Sequence, residues 1–189
     1  SIAALYPFTF AIYGLSEYVR ATGDQKTLDT AIALYHDIEK YAFDAENNGY
    51  IEALTRDWQP IDDMRLSDKD ENGSRTMNTH LHILEPYTNL YKVWKDKRLE
   101  NSIRNLLDIF TEKLLNPETY HLDLFFNDRW EGKRNIESYG HDIEASWLLH
   151  ESALVLDDKK VLRKIEPIIR KIAVAADEGL RSDGSMIYE

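Results

Sequence analysis

His141 follows the turn residues Ser138-Tyr139-Gly140 and precedes Asp142 and an apolar run, Ile143 to Leu149, with helical spacing. A small residue, an imidazole and then an acidic first turn mark a loop feeding a helix N-terminus. Glu144 lies three residues on and Trp147 six, so both share a helical face with His141. At that end the helix dipole disfavours the imidazolium, and a neutral imidazole suits a proton acceptor near pH 7. The same histidine can instead be hydrogen-bonded to its own loop, and spacing alone does not separate the two readings.

A second stretch stands in the same place one hairpin earlier: Arg75-Thr76-Met77-Asn78-Thr79-His80-Leu81-His82-Ile83-Leu84-Glu85. Asn78 and His82 are four apart and face the same way, while His80 points roughly opposite. His82 and His141 could therefore reach one cavity from neighbouring helices. Glu85 is placed to fix the tautomer of His80 or His82. A metal is not expected, because the i,i+2 side chains of His80 and His82 diverge on a helix and no His-Glu-x-x-His pattern occurs. The chain has no cysteine, which removes disulfides, thiolate catalysis and thiolate metal ligands.

Trp58, Phe125, Phe126, Trp130 and Tyr139 gather in or beside the long loops. Aromatic faces interspersed with acids and amides fit carbohydrate, whose C–H faces stack and whose hydroxyls take directed hydrogen bonds. Each of these aromatics taken singly can as well be core. Trp94 sits at the opposite, short-turn end and reads as packing. His36 and His150 have no partner motif, and His121 opens an aromatic segment with no role assigned.

The elements that must position these residues are helices. Leu5, Phe8, Ile12, Leu15 and Val19 predict a first helix from about Ser1 to Arg20, with Pro7 tolerable in its first turns. Leu28 to Phe43 predicts a second, ended by Asn47-Asn48-Gly49. Tyr50 to Gly73 has no sustained period, and so long a loop in a compact domain is often functional. A third helix runs from about Arg75 to Trp94, with Pro86 implying a kink. Leu99 to Leu114 makes the fourth, and a strand or hairpin over His121–Trp130 ends at Gly132. The fifth starts at His141 and ends near Leu156; the sixth runs from Lys159 to about Asp177. Tight turns at Gly23-Asp24, Lys95-Asp96 and Asp157-Asp158 join the helices in pairs, each followed by a leucine: Leu28, Leu99 and Leu162. Short turns at one end and long loops at the other predict an all-α fold, an α/α toroid or solenoid whose long loops line the functional face.

Composition agrees with a folded domain, at 43% hydrophobic and 30% charged residues. A net charge of −11 makes a nucleic-acid partner unexpected. No run of 18 apolar residues and no signal-type start occurs, so a membrane partner is not expected and the cytoplasm is the expected location.

Taken together, Met77-Asn78-Thr79-His80-Leu81-His82 with Leu84-Glu85, the Phe125-Phe126 to Trp130 segment, and Ser138 to Leu149 resemble the cellobiose 2-epimerase group of the N-acylglucosamine 2-epimerase family. The similarity runs over essentially all 189 residues. It implies an (α/α)6 barrel of about 400 residues, of which residues 1–189 form the central three hairpins as a single partial domain. It implies epimerisation at C2 of the reducing-end sugar of a β-1,4-linked disaccharide, with no cofactor. By resemblance His141 is a catalytic acid/base with Glu144 as its hydrogen-bonding acidic partner. His82 polarises the sugar near O1 and O5, Asn78 binds substrate, and Asp70 lies near the sugar. Trp130 falls to the outer subsite, while Tyr139 and Trp58 stand as substrate-binding candidates from their place among the loop aromatics. The family's second catalytic histidine and its sugar-binding arginine lie outside these six helices, and Arg56, Arg65 and Arg75 do not replace that arginine in register. Two alternatives share the sequence features: an aldose–ketose isomerase on the same barrel, and a helical-repeat fragment with a binding or structural role. An isolated arc would expose apolar helix faces, which calls for a homo-oligomer if this is the whole chain.

Overall fold

The computed structural model describes residues 2–65, 71–132 and 136–188, the side chains of 2–4 excepted. Six helices form three antiparallel hairpins: α1 (Tyr6–Thr22) with α2 (Gln25–Tyr41), α3 (Met77–Val93) with α4 (Lys97–Ile109), and α5 (Tyr139–Val155) with α6 (Lys159–Ala176). Within this arc α1, α3 and α5 pack side by side as an inner row, each backed by its own partner. The expected all-α toroid architecture is what is found. No helix is long and apolar enough to cross a membrane among the described residues.

The short turns are built alike. Asp24, Asp96 and Asp158 precede α2, α4 and α6, and each carboxylate accepts a first-turn backbone N–H, from Thr27 at 2.7 Å, Arg98 at 2.8 Å and Lys160 at 2.8 Å. Each cap satisfies a donor the helix cannot and puts negative charge at the positive end of the dipole. Burial then follows position in the row. α4 and α6 bury one stripe, Leu99, Ile103 and Leu106 in the first and Ile165, Ile169 and Ile172 in the second. α3 is flanked by α1 and α5 and backed by α4, so it is buried on nearly every side.

The long-loop end departs from the sequence reading. Residues 2–4 are not helical: they form β1 (Ile2–Ala4), antiparallel to β4 (Ala53–Thr55), and α1 starts only at Tyr6 with Pro7 in its first turn. β2 (Phe43–Asp44) pairs with β3 (Gly49–Tyr50) around Asn47-Asn48, where Asn48 takes a positive φ of 55°. The strand expected over His121–Trp130 is only β6 (Phe125–Phe126). It pairs with β5 (Arg75–Thr76), just before α3, and Phe126 also bridges antiparallel to Gly132, where the expected hairpin ends. α3 runs unbroken through Pro86, whose missing N–H leaves the His82 carbonyl without its helical donor. After α4 the helix widens into a π turn, Phe110–Leu114, with the Leu115 N–H on the Phe110 carbonyl at 3.0 Å. α5 begins two residues before His141, which places that histidine third in the helix.

Candidate active site

These small ladders draw the N-termini of α3 and α5 to one cleft. Pairing of β1 with β4 carries Tyr6 to Glu52, and pairing of β5 with β6 carries Phe125 to Thr76. The cleft has a volume of about 180 Å³ and is lined by Tyr6, Glu52, Thr76, Met77 and Asn78, by Leu124 and Phe125 paired against the α3 mouth, and by His141 from the α5 mouth. Met64, Arg65, Glu71 and Tyr188 rim it. This is smaller than the roughly 300 Å³ at which drug-sized pockets begin. It suits one small polar unit of a ligand.

Its polar wall is wired from the floor up. Glu52 is 3% exposed and accepts from the Thr76 hydroxyl at 2.5 Å and from the Tyr6 hydroxyl at 3.3 Å. The Tyr6 oxygen in turn accepts from Asn78 Nδ2 at 2.9 Å and Thr79 Oγ1 at 3.1 Å. Burial, then the charge of Glu52, push the Tyr6 phenol far above its ordinary value, so it stays a donor. With its amide nitrogen held by Tyr6, Asn78 is left with Oδ1 buried and without a partner among the described residues. That oxygen is an acceptor waiting at the cleft wall.

On the facing wall His141 Nδ1 is hydrogen-bonded to Ser138 Oγ at 2.8 Å. Ser138 is the N-cap residue of α5, yet its side chain caps no backbone N–H. The loop hydrogen bond and the cleft position, alternatives in the sequence, are both present.

The other expected site residues fall elsewhere. His82 packs edge-on to the Tyr6 ring at 5.5 Å and beside Phe10 at 5.2 Å, with Nδ1 3.5 Å from Glu85. It stands outside the lining of this cleft. Glu144 is half-buried one turn along α5 and makes no hydrogen bond or ion pair among the described residues. Its i,i+3 spacing puts it beside His141, but His141 Nδ1 turns back to the loop. Asp70 lies outside the described residues.

The aromatics pack. Trp130 donates its indole N–H to the Asn47 carbonyl at 2.8 Å, lies under the Arg75 guanidinium and touches His80 and Phe126. Gly49 admits that stack, because a Cβ there would come within 2.5 Å of the Trp130 ring and 2.6 Å of Arg75. Trp58 stacks on Tyr41 and Phe8, both at 5.0 Å between centroids. Tyr139 is edge-on to His121 and covers Gly179, where a Cβ would approach its ring to 2.3 Å. None of the three borders the cleft.

His80 also has structural work. It is fully buried, its Nδ1–H donates to the Thr76 carbonyl at 2.7 Å, and its Nε2 accepts the Tyr50 N–H at 3.0 Å. Burial lowers its pKa to about 4, so the ring is neutral and its tautomer is fixed.

Sequence reasoning missed Tyr6, Glu52 and Thr76. The one available signal was Glu52, an acid flanked by Tyr50, Ala53 and Leu54, all of which are buried.

An arc of three α/α hairpins whose inner helices open on one cleft is part of an α/α toroid. The chain belongs to the N-acylglucosamine 2-epimerase (GlcNAc 2-epimerase) family, whose model matches residues 2–188. The cellobiose 2-epimerase of Bacteroides fragilis is 62% identical over 185 residues, covering 98% of this chain and 47% of that protein. That of Dictyoglomus turgidum is 37% identical over 185 residues, with 98% and 47% covered. The solved structure of cellobiose 2-epimerase from Bacillus thermoamylovorans B4167 superposes with a TM-score of 0.90 at 40% identity, covering 99% of this chain and 48% of that one. The chain thus spans about half the length of the relatives it matches.

Proposed function

We propose that the protein carrying this chain epimerises C2 of the reducing-end sugar of a β-1,4-linked disaccharide of the cellobiose or mannobiose type. The observation that carries this reading is the pairing across one cleft of His141 with the unpartnered Asn78 Oδ1. The relatives named as cellobiose 2-epimerases support it.

In the open-chain aldose the C2–H is acidified by the C1 carbonyl. His141, with Nδ1 held by Ser138, takes that proton at Nε2 and the electron pair flows into a C1–C2 enediolate. Charge accumulates on O1 and calls for a positioned donor, the role assigned to His82. Asn78 Oδ1 accepts from a sugar hydroxyl and holds the ring-opened chain in register. Glu144 is assigned to support acid–base exchange, and Asp70 to the sugar. Returning a proton to the opposite face of C2 inverts that centre and needs a second acid/base. The cleft holds one imidazole among its described residues, so that group is assigned to the part of the protein beyond this chain.

Incubation with cellobiose in D2O tests the reading. Deuterium should enter C2 and the 2-epimer should accumulate, and His141→Ala should slow both by about 10²–10⁴-fold. Exchange that survives in both His141→Ala and His82→Ala overturns the assignment. A ketose product would replace it with an aldose–ketose isomerase.

A further inference from the structure

Beside the cleft lies a buried acid–base pair with no part in the chemistry above. Asp142, next in sequence to His141, is 1% exposed and His121 is 3% exposed. His121 Nδ1 and Asp142 Oδ2 are 2.7 Å apart, and the other carboxylate oxygen accepts the Leu122 N–H at 3.0 Å. The far nitrogen of His121 faces Glu178 in the 3-10 turn after α6 at 3.6 Å.

The placement of this pair matters more than its burial. Two residues past Leu122, the Leu124 carbonyl accepts the Met77 N–H at 2.9 Å, and Phe125 pairs with Thr76. A five-residue strip, Leu122 to Phe126, is therefore fastened at one end to the mouth of α3 and at the other to the first turn of α5. The strip is extended and short, so it has little freedom to absorb a shift at either end. The separation of Asn78 from His141 depends on both fastenings. Only the α5 fastening contains a titratable donor.

We infer that Asp142 and His121 are positioning residues which clamp the first turn of α5 to the Leu122–Phe126 strip and so set where His141 stands across the cleft from Asn78. The proposal rests on His141 being the acid–base group of the cleft. The groups facing the His121 ring are Asp142 on α5, Glu137 before it, and Glu178 after α6, with the Tyr139 ring edge-on. All three charged neighbours are acidic. Burial opposes a charge on His121, but the bond and charge of Asp142, then Glu137 and Glu178, raise its pKa overall. Burial likewise raises Asp142, against the bonds from His121 and Leu122. Both shifts have one sense: the pair holds its proton more tightly than either group would alone. Protonated, His121 donates to Asp142 and attracts Glu178 across 3.6 Å, which draws the end of α6 toward α5. Neutral, it keeps only the Asp142 bond, and the clamp loses its charge assistance.

The test is an NMR titration of the histidine imidazoles in the intact protein, with fold checked by the amide spectrum. The His141 resonance should show two inflections, its own and one at the His121 midpoint. His121→Asn retains an N–H donor toward Asp142 and should erase the second inflection while the fold persists. Asp142→Asn should lower the His121 midpoint enough to raise its acid dissociation constant about tenfold or more. A single His141 inflection, with the same midpoint in wild type and His121→Asn, overturns the proposal even if Asp142→Asn does not fold. The titration uses no sugar. Absence of epimerisation would leave the clamp standing, and absence of coupling would leave the epimerase reading standing.

Discussion

The mouths of α3 and α5 occupy equivalent places in successive hairpins, and each begins with a hydroxyl residue, Thr76 and Ser138. At α3 the hydroxyl caps: Thr76 Oγ1 accepts the Thr79 N–H at 3.0 Å and donates to Glu52, while its carbonyl takes His80. At α5 the hydroxyl holds the imidazole of His141 and caps nothing. One mouth is built to be rigid, and the other has given up its cap to orient a side chain. The two mouths thus divide the labour of capping and orienting within one repeat. The mouth of α5 must then borrow its fixation from outside the helix, and Asp142 supplies it through Leu122 and His121.

This contrast can be broken at the α3 side first. His80→Ala leaves a cavity and strands both the Tyr50 N–H and the Thr76 carbonyl, and should cost about 4 kcal/mol, read from the urea midpoint. Acidification attacks the same ring. The folded pKa of about 4 lies below the ordinary 6.5, so the His80 contribution is complete above pH 6.5. It falls as the unfolded chain takes up its proton first, losing about 3 kcal/mol by pH 4. The α5 side should respond in the opposite sense. The contribution of His121 is complete below its ordinary pKa and is lost as pH rises through its raised folded value. Stability curves of wild type against His80→Gln and His121→Asn separate the two arms.

Smaller changes sharpen the comparison. Thr76→Val removes the cap and leaves an oxygen of buried Glu52 without its hydroxyl donor, for about 2 kcal/mol. Ser138→Ala should cost less than about 0.5 kcal/mol in stability while shifting the His141 titration measured by NMR. Equal stability losses for the two substitutions would mean that Ser138 is a cap after all and that the division of labour does not hold.

Much of the frame is legible in the sequence because it rests on local rules. The helices follow from apolar spacing, the aspartate caps from residue type, and the opposed directions of His80 and His82 from the 100° step between residues. That Asn78 and His141 line one cleft is legible for the same reason: each sits near a helix start, and a helix start has one direction. What could not be read depends on long-range pairing. Tyr6 is 46 residues from Glu52 and 72 from Asn78, and only the pairing of β1 with β4 brings them together. Trp58, Trp130 and Tyr139 show the converse. An aromatic in a loop looks the same in sequence whatever packs against it, and the neighbours here, Tyr41, Arg75 and Gly179, come from other elements of the fold.

The neighbour-only packing of the inner row has a consequence for the order of assembly. Each hairpin can form from contacts close in sequence, which favours fast, local folding. Among the described residues α3 has an inner helix on both sides, so its amides should be slow to exchange. The cleft, however, exists only once the third hairpin has docked on the second through the Leu122–Phe126 strip. Binding competence is therefore the final event in folding and the first casualty of fraying, and a ligand held between Asn78 and His141 would act as a kinetic lock on that last joint.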